Sequence, residues 1–291
     1  MRTSSVANFS AFPAHRSDPV GTLAPRRRWD DRRVNSAGVP VAGYPVEGVN
    51  VNVASQSEAL NEAIRRTQSG EGFALFTLNL DHLVKIRQDK AFHRAYRRAS
   101  LITADGWPVV WLSNRTGQTL ERTCGSDLVE PFCRSAAASG IPVFFVGPGL
   151  SSQTAAIEAL KSRQPGLRVV GRSCDKVSTR PTWREVADLA DQINASGARI
   201  CFLSLGAPKQ ELLADALLSR CPGVGFLCVG AALDFISGEV RRAPPLWRQA
   251  KLEWAWRLLG DPRRLVNRYL LCAYELLLLA IKPTRDPLRL R

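Results

Sequence analysis

Asp105 is the carboxylate whose neighbours best suit it to chemistry. It follows the apolar run Leu101-Ile102-Thr103-Ala104 and precedes Gly106, the pattern of a strand that ends in a turn. In open α/β sheets ligands bind outside the carboxyl ends of the strands, where a carboxylate can take a proton from a bound hydroxyl. The alternative is that Asp105 N-caps a helix entered at Pro108. Further polar clusters also follow apolar runs: Thr77-Leu78-Asn79, Gly147-Pro148-Gly149, Gly206-Ala207-Pro208-Lys209-Gln210-Glu211 and Gly230-Ala231-Ala232-Leu233-Asp234. Gly206 and Pro208 suit a tight turn into a helix whose first N–H groups face a phosphate or sugar oxygen, with Lys209 adding a charge and Gln210 an amide. An ordinary strand-to-helix turn would use the same residues. Gly147-Pro148-Gly149 lacks the third glycine of a dinucleotide fingerprint.

A second constellation lies in the tail. Arg241-Arg242-Ala243-Pro244, Glu253-Trp254, Arg257, Asp261-Pro262-Arg263-Arg264 and Arg268-Tyr269 form a basic series, in which Arg264 and Arg268 share one helix face. Trp247, Trp254, Trp256, Tyr269 and Tyr274 interleave with it, and Leu270, Leu271 and the run Leu276 to Leu279 supply apolar surface. Basic helices with aromatics and leucines suit an anionic lipid interface; the plain alternative is a solvated charged face. The chain has no Asp-x-Asp, His-Glu-x-x-His, P-loop or Gly-x-Ser-x-Gly motif, so the familiar metal-nucleotide, zinc-hydrolase and serine-hydrolase readings have no sequence support.

These residues need a scaffold of strands and helices in alternation. Strands are expected at Gly48 to Val53, Phe73 to Leu78, Leu101 to Ala104, Pro142 to Val146, Leu167 to Val170, Arg199 to Leu205 and Gly225 to Val229, several as continuous apolar runs. Helices are expected at Ser57 to Thr67, Leu80 to Arg98, Pro108 to Thr116, Asp127 to Ala138, Ser152 to Arg163, Thr182 to Ala195 and Pro208 to Leu218. Two basic amphipathic helices, Leu246 to Leu259 and Pro262 to Ile281, follow. The fold class is therefore α/β: a mostly parallel sheet with helices on both faces and a C-terminal helical appendage. The division is a disordered basic leader over 1–45, a catalytic domain over 46–236 and the appendage over 237–291.

Composition agrees. The chain has 291 residues and a formal charge of +14, of which a net +8 lies from Arg241 to Arg291. That points to an anionic partner such as phosphates, an acidic bilayer or nucleic acid. The seven scattered cysteines, an odd number without a Cys-x-x-Cys pair, suit reduced, buried thiols in the cytosol. The longest apolar stretch, Tyr269 to Ile281, is interrupted by Glu275 and falls short of the ~20 residues that span a bilayer. Net charge alone favours a nucleic-acid-binding protein; the tail alone would also fit a nonenzymatic membrane scaffold.

Taken in order, the clusters resemble the WecG/TagA/CpsF glycosyltransferases over about Val46 to Leu271. The resemblance rests on Thr77-Leu78-Asn79, Ala104-Asp105-Gly106 with Pro108, Gly125-Ser126-Asp127, Gly206 to Glu211, Gly230-Ala231 with Asp234, Ser237-Gly238 with Arg242-Ala243-Pro244, and Leu252-Glu253-Trp254 through Arg268-Tyr269. Departures fall at Pro245 and Lys251, in the appendage, and in the long leader. The resemblance implies a Rossmann-like sheet and metal-independent, inverting transfer from a UDP-sugar to a polyprenyl-diphosphate-linked sugar, without a cofactor. It implies Asp105 as base, Thr77 and Gln210 in the donor pocket, and Arg242, Arg257, Arg264 and Arg268 as the arginines that close over the diphosphate. Asn79, Gly106, Gly206, Pro208, Lys209, Glu211, Gly230 and Asp234 complete the expected substrate-binding set. The expected setting is cytoplasmic, peripheral on the anionic inner face of the cell membrane; self-association is open and nucleic acid is not expected.

Overall fold

The computed structural model describes residues 43–115 and 119–281. Five apolar runs become the strands β3 (Phe73–Leu78), β4 (Leu101–Ala104), β5 (Val143–Val146), β7 (Ile200–Leu203) and β8 (Gly225–Cys228), while β6 (Val169–Ser173) starts two residues later than the expected strand at Leu167 to Val170 and runs on through Gly171-Arg172-Ser173. They form one sheet in the order β4-β3-β8-β7-β5-β6, every neighbouring pair parallel. All six residues of β3 are buried, as in a strand covered on both faces. Alternation assigns Ala74, Phe76 and Leu78 to one core and Phe73 and Leu75 to the other, since successive side chains point to opposite faces.

The expected strand at Gly48 to Val53 does not join this sheet. Tyr44–Val46 (β1) and Val49–Val51 (β2) pair as a separate antiparallel hairpin. Glu47 and Gly48, both at positive φ, make the turn that matches the twist of paired strands. Tyr44 and Pro45, expected in the leader, thus lie in a strand, whereas residues 1–42 of that leader lie outside the described residues.

Helices connect the strands: α1 (Gln56–Gln68), α2 (Leu80–Gln88), α3 (Lys90–Arg98), α4 (Trp107–Asn114), α5 (Gly125–Ala138), α6 (Leu150–Arg163), α7 (Trp183–Ser196) and α8 (Lys209–Leu217). The single helix expected over Leu80 to Arg98 is divided at Asp89. That residue adopts an extended conformation and its carboxylate accepts from the backbone N–H groups of Ala91 and Phe92 at 2.8 and 3.3 Å, so it caps a new helix instead of continuing the old one.

After β8 come α9 (Ala232–Ser237), α10 (Pro245–Gln249), α11 (Glu253–Gly260) and α12 (Pro262–Ile281). The helix expected over Leu246 to Leu259 is two helices, because Lys251 takes a positive φ of 62° that no α-helix accommodates. Leu265, Cys272, Glu275 and Leu279 of α12 are buried, and Cys272 and Leu279 join the core that includes Leu83 and Ile86 of α2 and Val109 of α4. Among the described residues, no helix is long and apolar enough to cross a membrane. All seven cysteines are free thiols, six of them buried.

Candidate active site

The carboxyl end of β4 fixes Asp105 through its backbone. The Asp105 N–H donates to the Leu78 carbonyl at the end of β3, 2.7 Å away. Gly106 then turns the chain at a φ of +87°, a conformation that glycine adopts at no steric cost. Gly106 is also the N-cap of α4, and no side chain bonds to that cap; of the two sequence readings of Asp105, the helix cap is therefore excluded.

On the other side of β4, residues 121–124 run along the sheet edge. Arg122 bridges Ala104, the Thr123 N–H donates to the Ala104 carbonyl at 2.8 Å, and the Thr103 hydroxyl donates to the Thr123 carbonyl at 3.2 Å. This pairing brings Cys124 to the β4 end, where its sulfur accepts from Arg122 Nη1 at 2.7 Å. Burial raises the Asp105 pKa above the ordinary carboxylate value, and Cys124, Arg257 and Arg122 only partly offset it. A carboxylate held so has more proton affinity than an exposed one, which is what a general base needs.

The appendage supplies the facing charges. Arg257 of α11 pairs with Glu253 at 2.6 Å. Burial works against its charge, but Glu253 and Asp105 more than offset that. Glu253 also lies 3.8 Å from Arg122, so one carboxylate links the sheet edge to α11. Arg242 pairs with Asp127, in the first turn of α5, at 2.5 Å. Both guanidiniums lie over the Phe235 ring of α9, Arg257 at 5.4 Å and Arg242 at 6.0 Å from its centroid. The cation–π contacts gather two arginines on one platform. Arg268 of α12 pairs with Asp81 of α2 at 3.0 Å, and the Arg264 side chain lies outside the described residues.

Remaining members of the expected set occupy the ends of β3, β7 and β8. Thr77 is buried and in register with Thr103 of β4. The Asn79 side chain caps α2, accepting from the His82 N–H at 3.0 Å. Gly206 takes a φ of 73°, Pro208 is the N-cap of α8 and Lys209, half-buried, is its first residue. Gln210, also buried, is doubly committed: its oxygen accepts from the Gly230 N–H at 3.0 Å and its amide donates to Glu211 at 2.8 Å. That joins the ends of β7 and β8. Glu211 is fully buried, and burial pushes its carboxyl up to about 7. Asp234 lies aside from this cluster, accepting from the Ser152 hydroxyl of α6 at 2.9 Å.

Arg257 therefore comes towards Asp105 at the β4 end with Arg242 beside it over Phe235, Gln210, Glu211 and Gly230 meet between β7 and β8, and Arg268 reaches the β3 end. Sequence reasoning did not single out Arg122, Cys124 or Phe235 as site residues. Their one available signal was position, since Arg122 and Cys124 immediately precede Gly125-Ser126-Asp127 and Phe235 follows Asp234. Among the described residues, no cluster of three or more His, Cys, Asp or Glu is arranged to hold a metal ion.

A carboxylate of raised proton affinity facing several arginines at the carboxyl edge of a parallel sheet suits proton abstraction beside a phosphorylated substrate. The family model described as Glycosyl transferase WecG/TagA/CpsF family matches residues 44–289, from the first strand of the hairpin through α12, and the chain belongs to that glycosyltransferase family.

Proposed function

We propose that the protein is an inverting glycosyltransferase that moves a sugar from a UDP-sugar to a polyprenyl-diphosphate-linked sugar, peripheral on the cytoplasmic face of the cell membrane, in cell-surface or exopolysaccharide biosynthesis. The observation that carries this reading is the placement of Asp105 at the end of β4, its N–H bonded to the Leu78 carbonyl, beside the Arg257–Glu253 pair of α11 that reaches Arg122 on the same sheet edge. Asp105 takes the proton of the acceptor hydroxyl as that oxygen forms its bond to the donor's anomeric carbon. The bond from that carbon to UDP breaks on the opposite face, which inverts the configuration. Negative charge grows on the departing diphosphate, and Arg242 and Arg257, held on Phe235, are placed to compensate it. Thr77, Gln210 and the turns at Gly206 and Gly230 form the donor side.

The membrane part of the proposal rests on α12. Its Leu265, Cys272 and Leu279 face the core, whereas Val266, Leu270, Tyr274, Leu277 and Ile281 are exposed at spacings that place them on one face of the helix. Leu246, Trp254 and Leu259 add exposed apolar surface nearby in the chain. The donor sugar is proposed from N-acetylmannosamine, its uronic acid or glucose. A UDP-release screen over these UDP-sugars, with a short-chain polyprenyl-diphosphate sugar present, tests the proposal. Acceptor-dependent release with any one of them supports it; nucleotide release with none, by folded protein on anionic vesicles, overturns it.

A further inference from the structure

β3 and β8 pair in register from Phe73 with Gly225 to Leu75 with Leu227, and the Phe73 N–H donates to the Val224 carbonyl. Every second residue of β3 therefore turns its backbone groups to β8, and the rung beyond Leu75 would join the Thr77 carbonyl to the Gly230 N–H. That rung is not made. Gly230 turns at a φ of 59° and donates to the Gln210 side chain at 3.0 Å. The Thr77 carbonyl accepts instead from the Tyr96 hydroxyl of α3 at 3.5 Å. Two side chains thus replace one rung, and the strands part at the carboxyl edge, where open α/β sheets take ligands.

Tyr96 is itself held. Its hydroxyl lies 2.6 Å from His82 Nδ1 of α2. Both side chains are buried, each edge-to-face with Phe92, and Tyr96 also meets Phe76. Packing alone would be met by apolar side chains here, since a buried hydroxyl or imidazole costs free energy unless it is hydrogen-bonded. The His82 backbone N–H donates to the Asn79 side chain at 3.0 Å, so the same residue also holds the chain just past Thr77. Burial pushes the His82 pKa down to about 3, which leaves a neutral ring with a single N–H.

We infer that Tyr96, backed by His82, is a positioning residue for the donor side: its hydroxyl takes the place of the missing β8 rung at the Thr77 carbonyl and fixes where β3 presents Thr77. This rests on the reading of Thr77 as part of the donor side. A carbonyl only accepts, so both bonds are made only when the chain runs from His82 Nδ1–H to the Tyr96 oxygen and from the Tyr96 O–H to Thr77. Each bond then polarises the next. Without the hydroxyl the Thr77 carbonyl loses its partner, and its nearest remedy is to recapture the Gly230 N–H. That would close the sheet by one rung and release Gln210, so Thr77 and Gln210 would shift together.

Tyr96→Phe keeps the ring and its edge contacts and removes only the hydroxyl. In the full-length protein it should weaken UDP binding, followed calorimetrically, by roughly three- to tenfold, raise the KM for the UDP-sugar and leave the KM for the lipid-linked acceptor unchanged. Thr77→Val should also weaken UDP binding, and adding Tyr96→Phe to it should cost less than Tyr96→Phe costs alone, because both act through one strand end. Nitrogen-15 NMR of the wild type gives a readout that needs no folded Tyr96 variant. The His82 ring, identified as the resonance that His82→Asn removes, should carry its proton on Nδ1. A proton on Nε2 overturns the inference, since the Tyr96 hydroxyl would then donate to His82 and not to Thr77. A loss that falls equally on donor and acceptor also overturns it and makes Tyr96 a purely structural residue. Unchanged UDP binding in Tyr96→Phe, with Thr77→Val impaired, overturns it while the donor-side reading stands. Wild-type UDP binding by both variants overturns the donor-side reading of Thr77, and this assignment with it.

Discussion

Arg268 of α12 reaches back to Asp81, two residues after the Asn79 cap at the end of β3, and pairs with it at 3.0 Å. Asp81 also holds Lys85 of its own helix, so one largely buried carboxylate latches the last helix to the carboxyl edge of the sheet. Arg87 of α2 pairs with the buried Glu275 of α12, and Arg115 donates to the Leu279 carbonyl at 2.8 Å. The last helix is thus tied down along its length by charges on one side, while its other side keeps exposed leucines.

Arg268→Ala is expected to destabilise the fold by roughly 1–2 kcal/mol near neutral pH, between the worth of an exposed pair and that of a buried one, because Lys85 still accompanies Asp81. Burial tends to raise the Asp81 pKa, but Arg268 and Lys85 together hold it below the usual value. A depressed folded pKa contributes stability that is complete above the unfolded value of about 3.9 and is lost as pH falls through the folded one. Urea midpoints of wild type and variant should therefore converge towards pH 3. A gap that is as wide at pH 3 as at pH 7 would show that the pair contributes no such linkage.

Asp105→Asn separates chemistry from stability. As the base, Asp105 should be worth roughly 10²- to 10⁴-fold in transfer rate. Its burial-raised pKa means that the folded state disfavours the charged form, so stability drops as pH rises past the unfolded value and stays lower above the folded one. The asparagine variant removes that loss and should melt at or above the wild-type temperature at pH 8. Near-wild-type transfer by the folded variant would remove Asp105 from the mechanism.

Arg257→Ala and Arg242→Ala should each lower kcat by roughly 10²- to 10³-fold, the range seen when one transition-state charge donor is removed. With arginines compensating the diphosphate, turnover should survive EDTA. Loss of activity on chelation, restored by Mg²⁺ or Mn²⁺, would shift that role away from the guanidiniums.

The alternation of strands and helices was legible because strands buried on both faces read as apolar runs, and β3 and β4 fall where those runs predicted. Asp105 was legible for the same reason, as the polar residue that ends such a run. Arg122 and Cys124 were not, because residues 119–124 carry no periodic pattern and reach the sheet through a single bridge at Ala104. Phe235 sits in a helix of six residues, Ala232–Ser237, too short for a helical period to register. The interruption at Lys251 left no mark, since lysine carries none of the features that favour a left-handed turn. The tail leucines read as one apolar surface, but packing divides them: Leu279 is buried and Leu276 packs against the core, whereas Leu270, Leu271, Leu277 and Leu278 are exposed.

That division changes how membrane attachment is tested. Deleting the chain from Leu246 would uncover the core residues that Cys272 and Leu279 protect, so loss of binding could reflect loss of fold. Replacing Leu270, Leu277 and Ile281 together with Ser leaves the packed side intact. Flotation with anionic liposomes should fall by at least tenfold, since burying even part of these side chains is worth more than about 1.4 kcal/mol. Raised salt should weaken wild-type binding without eliminating it, because screening removes charge attraction but not apolar burial. Unchanged flotation of the triple variant would exclude this face as the attachment surface.

Glu211 offers a pH signature separate from Asp105. It is fully buried, its Oε2 has no hydrogen-bond partner among the described residues, and burial lifts its pKa from 4.5 to about 7 despite the amide of Gln210. The folded state therefore keeps a proton that the unfolded chain releases between those two values. Stability from this group is complete below about 4.5, falls as pH rises to about 7, and is flat beyond, a total of roughly 2–4 kcal/mol. Glu211→Gln retains an oxygen to accept from Gln210 and cannot ionise, so it should remove this slope and be the more stable protein at pH 8. Because Gln210 also holds the Gly230 N–H, Glu211→Ala should do more harm: it frees the Gln210 amide to rotate and loosens the contact between the β7 and β8 ends. UDP binding followed calorimetrically at pH 6 and pH 8 should weaken in Glu211→Ala and be maintained in Glu211→Gln. Equal binding by both variants would mean that Glu211 does not orient Gln210, and an unchanged stability slope in Glu211→Gln would assign the titration to another group.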